Sequence, residues 1–346
     1  MIVSLILVVL ITFVASLLLT KLARKVAIKF HIGDEPGPRK VHKVFTPYLG
    51  GAAILFSVAI GTIISVVLLP KVAGPVPKHY YVLGLSCVFI AFVGLFDDLR
   101  GFRFSTKFYC QILAAILVVV GGLKFDTIYL PLMGTIHLGV FSFVFTLFWI
   151  VFITNAINLL DGLDGLASGV STIIFIIFAI ISLQSGRTLV ALINIIFIAA
   201  NLGFLRYNFH PASIFMGDTG SLFMGFSVSV ISLEVGRIGD TQTLNCIIPL
   251  TVMAVPALDT AVSFLRRASK RMHPFMADKE HIHHRLMSIG FSHSNAVKVI
   301  YLFSAVTGIM GLSFVWLDVK SIITVLLIGV IFSTLLILSL IHISEP

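Results

Sequence analysis

The sequence is short of charge, of cysteine and above all of acidic residues. Only 11% of its 346 residues are Asp, Glu, Lys or Arg, against about 25% in a soluble domain. The three cysteines, Cys87, Cys110 and Cys246, lie within apolar segments without pairing or metal-ligand spacing, so they predict small buried side chains. With 58% apolar residues and a mean hydropathy of +1.09, the composition excludes a soluble domain and predicts a polytopic membrane protein.

Apolar segments long enough to cross a bilayer recur along the whole chain. Such segments usually contain about 17–25 residues. The sequence predicts an all-α fold and a single membrane domain over residues 1–346, with eleven transmembrane helices, or ten because two of the segments are short or loosely bounded. The segments are 2–19, 49–69, 80–96, 108–123, 140–157, 170–183, 189–205, 219–235, 244–265, 297–316 and 321–341.

The basic residues predict how the chain is oriented in the membrane. Cytoplasmic loops of membrane proteins carry an excess of Lys and Arg. Alternate loops of this chain cover residues 20–48, 97–107, 155–169, 206–218 and 266–296. Together with Lys298, which lies just after the last loop, they contain 18 of the 24 Lys and Arg residues. We therefore expect these loops and the C-terminus to be cytoplasmic and the N-terminus to lie outside. The net charge of +9 suits membrane lipids and anionic substrates and does not indicate nucleic acid.

A third of the 15 acidic residues stand at the ends of apolar segments, all on the side predicted to be cytoplasmic. A carboxylate beside a membrane-length segment is costly unless a metal ion, a cationic side chain or water compensates its charge. The five residues are Asp97, Asp98, Asp161, Asp164 and Asp218. Their shared side predicts a site that handles a metal ion and a polyanion.

Asp97 and Asp98 are adjacent in the run FDDLRGFRFSTK, which follows the 80–96 segment. Neighbouring residues on a helix point about 100° apart, so the two carboxylates cannot both face one metal ion squarely. We expect one of them to face a ligand and the other to orient it, cap a helix or bind a cation. Lys107 is expected to bring a cation to the same place. The alternative is a charged loop in which Asp98 and Arg100 form a solvated pair.

Polar residues recur at every third position of the run NAINLLDGLDGLASG, at Asn155, Asn158, Asp161 and Asp164. On a straight α-helix this repeat drifts by about 60° per step, so the four side chains cannot share one face. The glycine after each aspartate predicts a break, with the asparagines on a helix end and the aspartates on a broken turn. Such a turn suits a polyanion or a nucleobase; the alternative is that these residues cap two helix ends.

Asp218 begins the run DTGS just before the 219–235 segment. This pattern is also typical of a helix N-cap, and a lone aspartate in it caps a helix more often than it binds a metal. The presence of the other carboxylates on the same side favours a metal ligand. Phe215, three residues earlier, is expected either to stack on a flat ring or to pack at the membrane interface.

Two basic stretches complete the polar motifs. The run HIHHR provides His281, His283, His284 and Arg285. Its spacing matches no common zinc signature and includes no cysteine, so binding of phosphate or sugar hydroxyls is favoured over zinc. The run RKVHKVFTPYLGG places Lys40 and Lys43 before a turn into the 49–69 segment, where they either contact substrate or belong to the general cytoplasmic excess of positive charge.

In this order along the chain, the motifs resemble those of the polyprenyl-phosphate N-acetylhexosamine-1-phosphate transferases. The resemblance rests on Asp97-Asp98 with Lys107, NAINLLDGLDGLA, FMGDTGS and HIHHR, and it covers roughly residues 30 to 300. HIHHRL and KVHKVFTPYLGG resemble the bacterial undecaprenyl-phosphate GlcNAc-1-phosphate transferases in particular. The phospho-MurNAc-pentapeptide transferases of peptidoglycan synthesis carry a PxHHH-type motif instead and are the alternative.

The resemblance implies an enzyme of the bacterial cytoplasmic membrane whose active site faces the cytoplasm. It would convert UDP-GlcNAc and undecaprenyl phosphate into undecaprenyl-diphospho-GlcNAc and UMP with Mg²⁺, or Mn²⁺, as cofactor. This is the first lipid-linked step of cell-envelope glycopolymers of the teichoic acid or O-antigen type. Such enzymes often pair, so a homodimer is one arrangement to test. A secondary transporter is the remote alternative from another class of protein, because intramembrane acids are typical of transporters too.

The resemblance also implies roles for individual residues. The catalytic group is Asp97, Asp98 and Lys107, and the metal ligands are Asp218 and Asn158. The substrate-binding group is Asn155, Asp161, Asp164, Phe215, His281, His283, His284, Arg285, Lys40 and Lys43. Within these groups, Asp97 would activate or position the lipid phosphate and Lys107 would neutralise the diphosphate. Asp164 and Phe215 would hold uracil, while the histidine run would meet the sugar and the diphosphate.

Overall fold

The computed structural model describes residues 1–35, 45–73, 76–130, 133–239, 241, 243–270, 281–318, 320–325 and 327. Lys40 and Lys43 lie outside the described residues, as does most of the 321–341 segment. The helices are α1 Ile2–Lys29, α2 Gly50–Leu68, α3 Lys78–Arg100, α4 Phe104–Val120, α5 Phe141–Leu160, α6 Leu166–Gln184, α7 Thr188–Asn208, α8 Gly217–Gly236, α9 Ile247–Val252, α10 Ala254–Ser269, α11 Ile282–Ser288 and α12 His293–Ser313. The strands are β1 Gly33–Asp34, β2 Thr46–Pro47, β3 Thr127–Leu130, β4 Gly134–His137 and β5 Thr243–Asn245.

The helices confirm a polytopic membrane protein. Among the described residues, eight are long and apolar enough to cross a membrane, namely α1, α2, α3, α5, α6, α7, α8 and α12, and α4 is a shorter apolar helix. The predicted 244–265 helix needs a correction, because it is divided into β5, α9 and α10. Pro249 and Pro256 each lie in the first turn of one of these helices, where the missing N–H of proline is tolerated. The total of ten or eleven spans stays a prediction.

The expectation of an all-α fold needs a second correction, because the loops between helices form two small sheets. β1 pairs with β2 in an antiparallel ladder near the end of α1. β3 lies in the middle of the other sheet, antiparallel to β4 and parallel to β5. Thr127 Oγ1 lies 2.5 Å from Thr243 Oγ1 across the parallel pair. This second sheet joins the loop after α4 to the loop after α8.

α8 forms the centre of the helical bundle. Every residue from Thr219 to Gly236 is buried, and the helix packs against α2, α3, α5 and α6. Two glycines permit the closest approaches, since a Cβ on Gly94 would lie 2.3 Å from the backbone O of Asp218 and a Cβ on Gly51 would lie 2.0 Å from the backbone N of Gly220. Small residues allow helix backbones to approach in this way. They fix the start of α8 between α2 and α3.

The helix ends that carry the polar motifs meet at one end of the bundle, which we call the site end. α3, α5 and α7 finish there, whereas α4, α6 and α8 begin there, because successive spans run antiparallel. The turn from α3 to α4 occupies only residues 101–103, and that from α5 to α6 residues 161–165. The other end carries the turn into α3 and the second sheet. The two ends of the bundle lie about 30 Å apart along a 20-residue helix.

Candidate active site

A lysine joins two carboxylates at the centre of the site end. Asp97 lies in the last turn of α3 and Lys107 in the first turn of α4, so the short turn between them brings both side chains together. Lys107 Nζ donates to Asp97 Oδ2 at 2.8 Å and to Asp218 Oδ2 at 2.6 Å. Asp97 Oδ1 also accepts the backbone N–H of Phe102. One cation thus bridges the end of α3 and the start of α8.

Asp98 faces a different group from its neighbour and holds the N-terminus of α8. Its Oδ1 accepts the backbone N–H of Asp218 at 2.7 Å, while its Oδ2 accepts the N–H of Thr219 at 3.0 Å and the Thr219 hydroxyl at 2.5 Å. The first N–H groups of a helix lack intrahelical acceptors and favour negative charge. Asp98 therefore caps α8 from another helix, and Asp218 is not the N-cap that its sequence pattern suggests, since Met216 takes that position.

Asn158 brings the end of α5 onto the same cluster. Its Nδ2 donates to Asp218 Oδ1 at 3.1 Å and to Ser221 Oγ at 2.7 Å, which leaves the amide oxygen for a ligand. Asn155, nearly one turn earlier, turns instead to α4, where its Nδ2 donates to Gln111 Oε1 at 2.5 Å. The two asparagines lie on the last turns of a helix, and the structure brings only Asn158 into contact with Asp218.

Asp161 is the carboxylate in this region with the least compensation. It follows the last residue of α5, and its side chain makes no hydrogen bond to the described residues. Burial raises its pKa to about 7, and the nearby carboxylates of Asp218, Asp98 and Asp164 raise it further. Carboxylate and amide oxygens are the ligands that Mg²⁺ prefers. The donor set of Asp218, Asn158 and the neighbouring Asp161 therefore fits a divalent cation, whose charge would offset this excess of carboxylate.

Asp164 ties three segments together. Its Oδ2 lies 2.7 Å from His210 Nδ1 and accepts the N–H of Ala212 at 3.0 Å. Its own N–H donates to His293 Nε2 at 3.0 Å, and the His210 and His293 rings stack with centroids 4.2 Å apart. Asp164, His210 and His293 offer ligand atoms within 4.8 Å of one another. Because an amide already occupies the His293 Nε2 lone pair, the geometry favours a hydrogen-bonded brace over a metal site.

Phe215 lies beside a tyrosine that the sequence did not single out. Its ring centroid is 6.3 Å from that of Tyr48, with an interplanar angle of 38°, and its N–H donates to the backbone O of Pro47 at 2.8 Å. Burial, and next the negative charge of Asp34, raises the pKa of Tyr48. Tyr48 precedes α2 and feels the charges of Asp98 and Asp218 as well. Its only signal in the sequence is its place in the TPYLGG turn.

The histidine run is held by an acid from α10 that the sequence left without a role. Asp259 Oδ2 lies 2.9 Å from His281 Nδ1, and its Oδ1 accepts the N–H of Ile282 at 2.8 Å. The side chains of His281 and Asp259 are only 6% and 9% exposed. Asp259 therefore caps α11 and fixes the ring of His281, so that Nε2 is the nitrogen left for a ligand. The only signal for Asp259 in the sequence is that an acidic residue lies within the apolar 244–265 segment.

His283 is buried and reaches the turn between α5 and α6. A Cβ on Gly162 would lie 2.6 Å from His283 Nε2, so glycine is needed for this approach. Burial lowers the pKa of His283 to about 4, with a further contribution from the nearby His284. At neutral pH this ring is uncharged and offers hydrogen bonds. His284 is half-buried and Arg285 is exposed.

Residues 80–236, which span α3 to α8, match the family described as glycosyl transferase family 4. A probable undecaprenyl-phosphate N-acetylglucosaminyl 1-phosphate transferase of Bacillus subtilis (strain 168) is 36% identical over 297 residues, which cover 84% of this chain and 81% of that protein.

Two further relatives have similar coverage. A decaprenyl-phosphate N-acetylglucosaminephosphotransferase of Mycolicibacterium smegmatis is 34% identical over 322 residues, covering 85% of this chain and 78% of that protein. An undecaprenyl-phosphate alpha-N-acetylglucosaminyl 1-phosphate transferase of Escherichia coli (strain K12) is 32% identical over 300 residues, covering 84% and 78%. The matched lengths reach well beyond the α3–α8 region that carries the carboxylate cluster.

Proposed function

The chain belongs to glycosyl transferase family 4, and from this we propose that it transfers GlcNAc-1-phosphate from UDP-GlcNAc to undecaprenyl phosphate. The products are undecaprenyl-diphospho-GlcNAc and UMP. The three relatives described above are all named for N-acetylglucosamine phosphate transfer to a polyprenyl phosphate, so the peptidoglycan alternative is not favoured. The observation that carries the proposal is Lys107, a cation held between Asp97 and Asp218 where several helix ends meet.

We propose that the protein lies in the bacterial cytoplasmic membrane with its site end facing the cytoplasm. The excess of Lys and Arg in the loops of that end supports this orientation. It gives access to a soluble nucleotide sugar and to the phosphate of a membrane lipid at one interface. The product would then begin a cell-envelope glycopolymer, for which teichoic acid and O-antigen are the two types considered.

Bringing two polyanions together is the main difficulty of this reaction. Preorganised cations that face the developing charge are the usual solution. Lys107 meets this need, because two carboxylates hold its ammonium group at the place where α3, α4 and α8 converge. Asp218 and Asn158 would hold Mg²⁺, with Asp161 close by. When bound, the ion would neutralise charge on the diphosphate and favour departure of UMP.

We favour direct attack by the lipid phosphate. Its second pKa is about 6, so near pH 7 it is mostly dianionic and has little need of a general base. An oxygen of this phosphate would attack the phosphorus that carries the sugar, and the bond from that phosphorus to the UMP oxygen would break. Asp97 pairs with Lys107 and accepts an amide hydrogen bond, which suits positioning of the lysine better than nucleophilic attack. A covalent nucleotide or sugar-phosphate adduct on Asp97 would contradict this mechanism.

The remaining contacts of the substrate would come from the segments around this centre. Asp164 keeps one carboxylate oxygen beyond the Oδ2 that His210 and Ala212 occupy, and this oxygen is available for uracil. Phe215 would supply the stacking surface. Neutral His283 and the Nε2 of His281 would meet sugar hydroxyls and diphosphate oxygens. Arg285 would add the positive charge on that side.

The proposal is tested by measuring UMP release from the purified chain. Undecaprenyl phosphate would be supplied with either UDP-GlcNAc or UDP-MurNAc-pentapeptide, each with Mg²⁺ and with a chelator. We expect release with UDP-GlcNAc that depends on both the lipid and the metal. Release with the pentapeptide substrate alone would overturn the choice of substrate, and release that continues in the chelator would overturn the assignment of a metal to Asp218.

A further inference from the structure

The end of the bundle opposite the active site contains a polar pocket of about 430 Å³. Its wall is built from helix ends and turns: the turn after α2, the start of α3, the start of α7 and the end of α8. The charged and titratable side chains that line it are Lys71, His79, Tyr80, Arg187, Glu234 and Arg237. Three of the six basic residues outside the loops of the site end therefore converge on one cavity.

The first turns of two helices line this pocket, and neither turn contains an acidic residue. α3 begins at Lys78 and α7 at Thr188, and neither has an acidic residue in its first turn or a side-chain N-cap hydrogen bond. The positive end of a helix dipole favours negative charge, and the amides of the first turn lack intrahelical acceptors. Here the chain places His79 at one such end and Arg187 at the other. An anion bound in the pocket would interact favourably with both helix ends.

The acid in the pocket is largely withdrawn into its wall. The Glu234 side chain is 5% exposed, and its Oε1 accepts from an Arg237 guanidinium nitrogen at 3.1 Å. His79 Nε2 lies 3.5 Å from the same oxygen without forming a hydrogen bond, and Arg237 Nε is also buried without an acceptor in the described structure. Two buried nitrogen atoms of the wall are therefore unsatisfied.

Arg187 is fixed in place by backbone groups. Its guanidinium donates to the carbonyl oxygens of Glu234, Arg237 and Gly239 at the end of α8. These contacts orient the cation beside the first turn of α7, which also lines the pocket. Lys71 is exposed on the opposite turn and is free to swing toward a ligand by rotation of its long side chain.

We propose that this pocket binds a phosphate group on the side of the membrane opposite the active site. Arg187, Arg237 and Lys71 would supply charge-assisted hydrogen bonds, and the helix N-termini would supply amides. The ligand is either the headgroup of an anionic phospholipid of that leaflet or a free phosphate ion. Its binding would tie the turns before α3 and α7 to the end of the buried α8.

Binding is measured on the purified full-length chain with two probes. Inorganic phosphate is titrated in one arm, and short-chain phosphatidylglycerol is compared with phosphatidylcholine in the other. Lys71→Gln removes a pocket cation, and Lys78→Gln is the matched control, since Lys78 is also exposed and lies at the same end without lining the cavity. We expect Lys71→Gln to weaken binding about threefold or more and Lys78→Gln to leave it unchanged.

Glu234→Gln gives a test of opposite sign. Removing the only acid among the described lining residues should tighten phosphate binding several-fold, even where the variant melts at a lower temperature without ligand. Response to both probes, or to phosphate alone, would identify a free phosphate site, and response to phosphatidylglycerol alone would identify a lipid site. The proposal is overturned if neither probe binds saturably, or if Lys71→Gln and Lys78→Gln bind alike.

Discussion

At the scale of single residues, the pair Asp97 and Asp98 shows how neighbours divide their tasks. Asp98 accepts three hydrogen bonds from the start of α8, whereas Asp97 contacts Lys107 and one amide of the α3–α4 turn. The 100° between adjacent side chains on a helix makes this division necessary. Asp98 stabilises the start of α8, and Asp97 positions the ammonium group of Lys107.

Substitution separates these two tasks. Asp98→Ala should lower the free energy of unfolding by about 1–2 kcal/mol, the usual cost of a lost helix cap, and should reduce transfer as well. Asp97→Asn should reduce turnover with a much smaller loss of stability, and its residual activity should rise with pH as more of the lipid phosphate becomes dianionic. Thermal unfolding and UMP release of both variants check this. Equal losses of stability would refute the division.

Asp259 should matter for transfer although it was not predicted as a site residue. Asp259→Asn keeps an oxygen for the N–H of Ile282 but removes the carboxylate that holds His281 Nδ1. We expect turnover to fall about tenfold with little change in melting temperature, whereas Asp259→Ala should also destabilise by about 1–3 kcal/mol through its unsatisfied buried partners. Steady-state kinetics of both variants measure this. Unchanged turnover in Asp259→Asn would remove His281 from the mechanism.

His283 predicts a specific dependence of stability on pH. Its pKa is about 4 in the folded protein and about 6.5 when unfolded, so the unfolded chain binds the proton more tightly. Its contribution to stability is therefore complete above pH 6.5 and is lost as pH falls toward 4. Over this range the free energy of unfolding of the wild type should fall by up to about 3 kcal/mol more than that of His283→Asn.

The measurement is thermal unfolding of the wild type and His283→Asn at several pH values. His137→Asn is the control, because His137 is exposed in β4 and its substitution should leave the wild-type slope unchanged. If His283→Asn loses stability with acid as steeply as the wild type, the ring is not buried as described.

At the scale of secondary-structure elements, the close contact of α3 with α8 sets the position of Asp218. A Cβ on Gly94 would lie 2.3 Å from the backbone O of Asp218, a distance that real structures do not tolerate. Gly94→Ala must push the start of α8 away, at a cost of about 1–3 kcal/mol, and should reduce transfer at least tenfold. Gly84→Ala on the same helix is the matched control, since its Cβ would meet nothing within 4 Å.

Gly84→Ala should retain full transfer, with stability unchanged or raised by about 0.5–1 kcal/mol because alanine favours helix. UMP release and melting temperature of the two variants provide the comparison. Full activity in Gly94→Ala would show that the spacing of α3 and α8 does not control the site.

The sequence predicted the positions of the helices more completely than it predicted which helices and side chains contact one another. Membrane-length apolar segments follow from composition, and the glycines of DGLDG correctly predicted a broken turn after α5. The small sheets were missed because their strands have two to four residues, too short for a periodic pattern. Which side of a helix faces which partner depends on packing, so the contacts of Asp98 with α8 and of Asp259 with His281 were not predictable.

At the scale of the whole molecule, successive antiparallel spans gather the polar motifs at one end and a separate cationic pocket at the other. Sequence alone grouped the five aspartates on one side, and the structure brings Asp97, Asp98 and Asp218 together there with Lys107. The membrane topology thus creates the site, because residues as distant in the sequence as Asp98 and Asp218, 120 positions apart, become neighbours only when the spans alternate.

We propose that Lys107, held between Asp97 and Asp218, is the cation on which GlcNAc-1-phosphate transfer depends. The most direct measurement is UMP release from UDP-GlcNAc and undecaprenyl phosphate with Mg²⁺, for the wild type and Lys107→Gln side by side. We predict lipid-dependent release by the wild type and a loss of at least about a hundredfold in Lys107→Gln, which corresponds to about 2.7 kcal/mol of transition-state stabilisation. Wild-type rates in a folded Lys107→Gln variant, or no release by the wild type, would contradict the account.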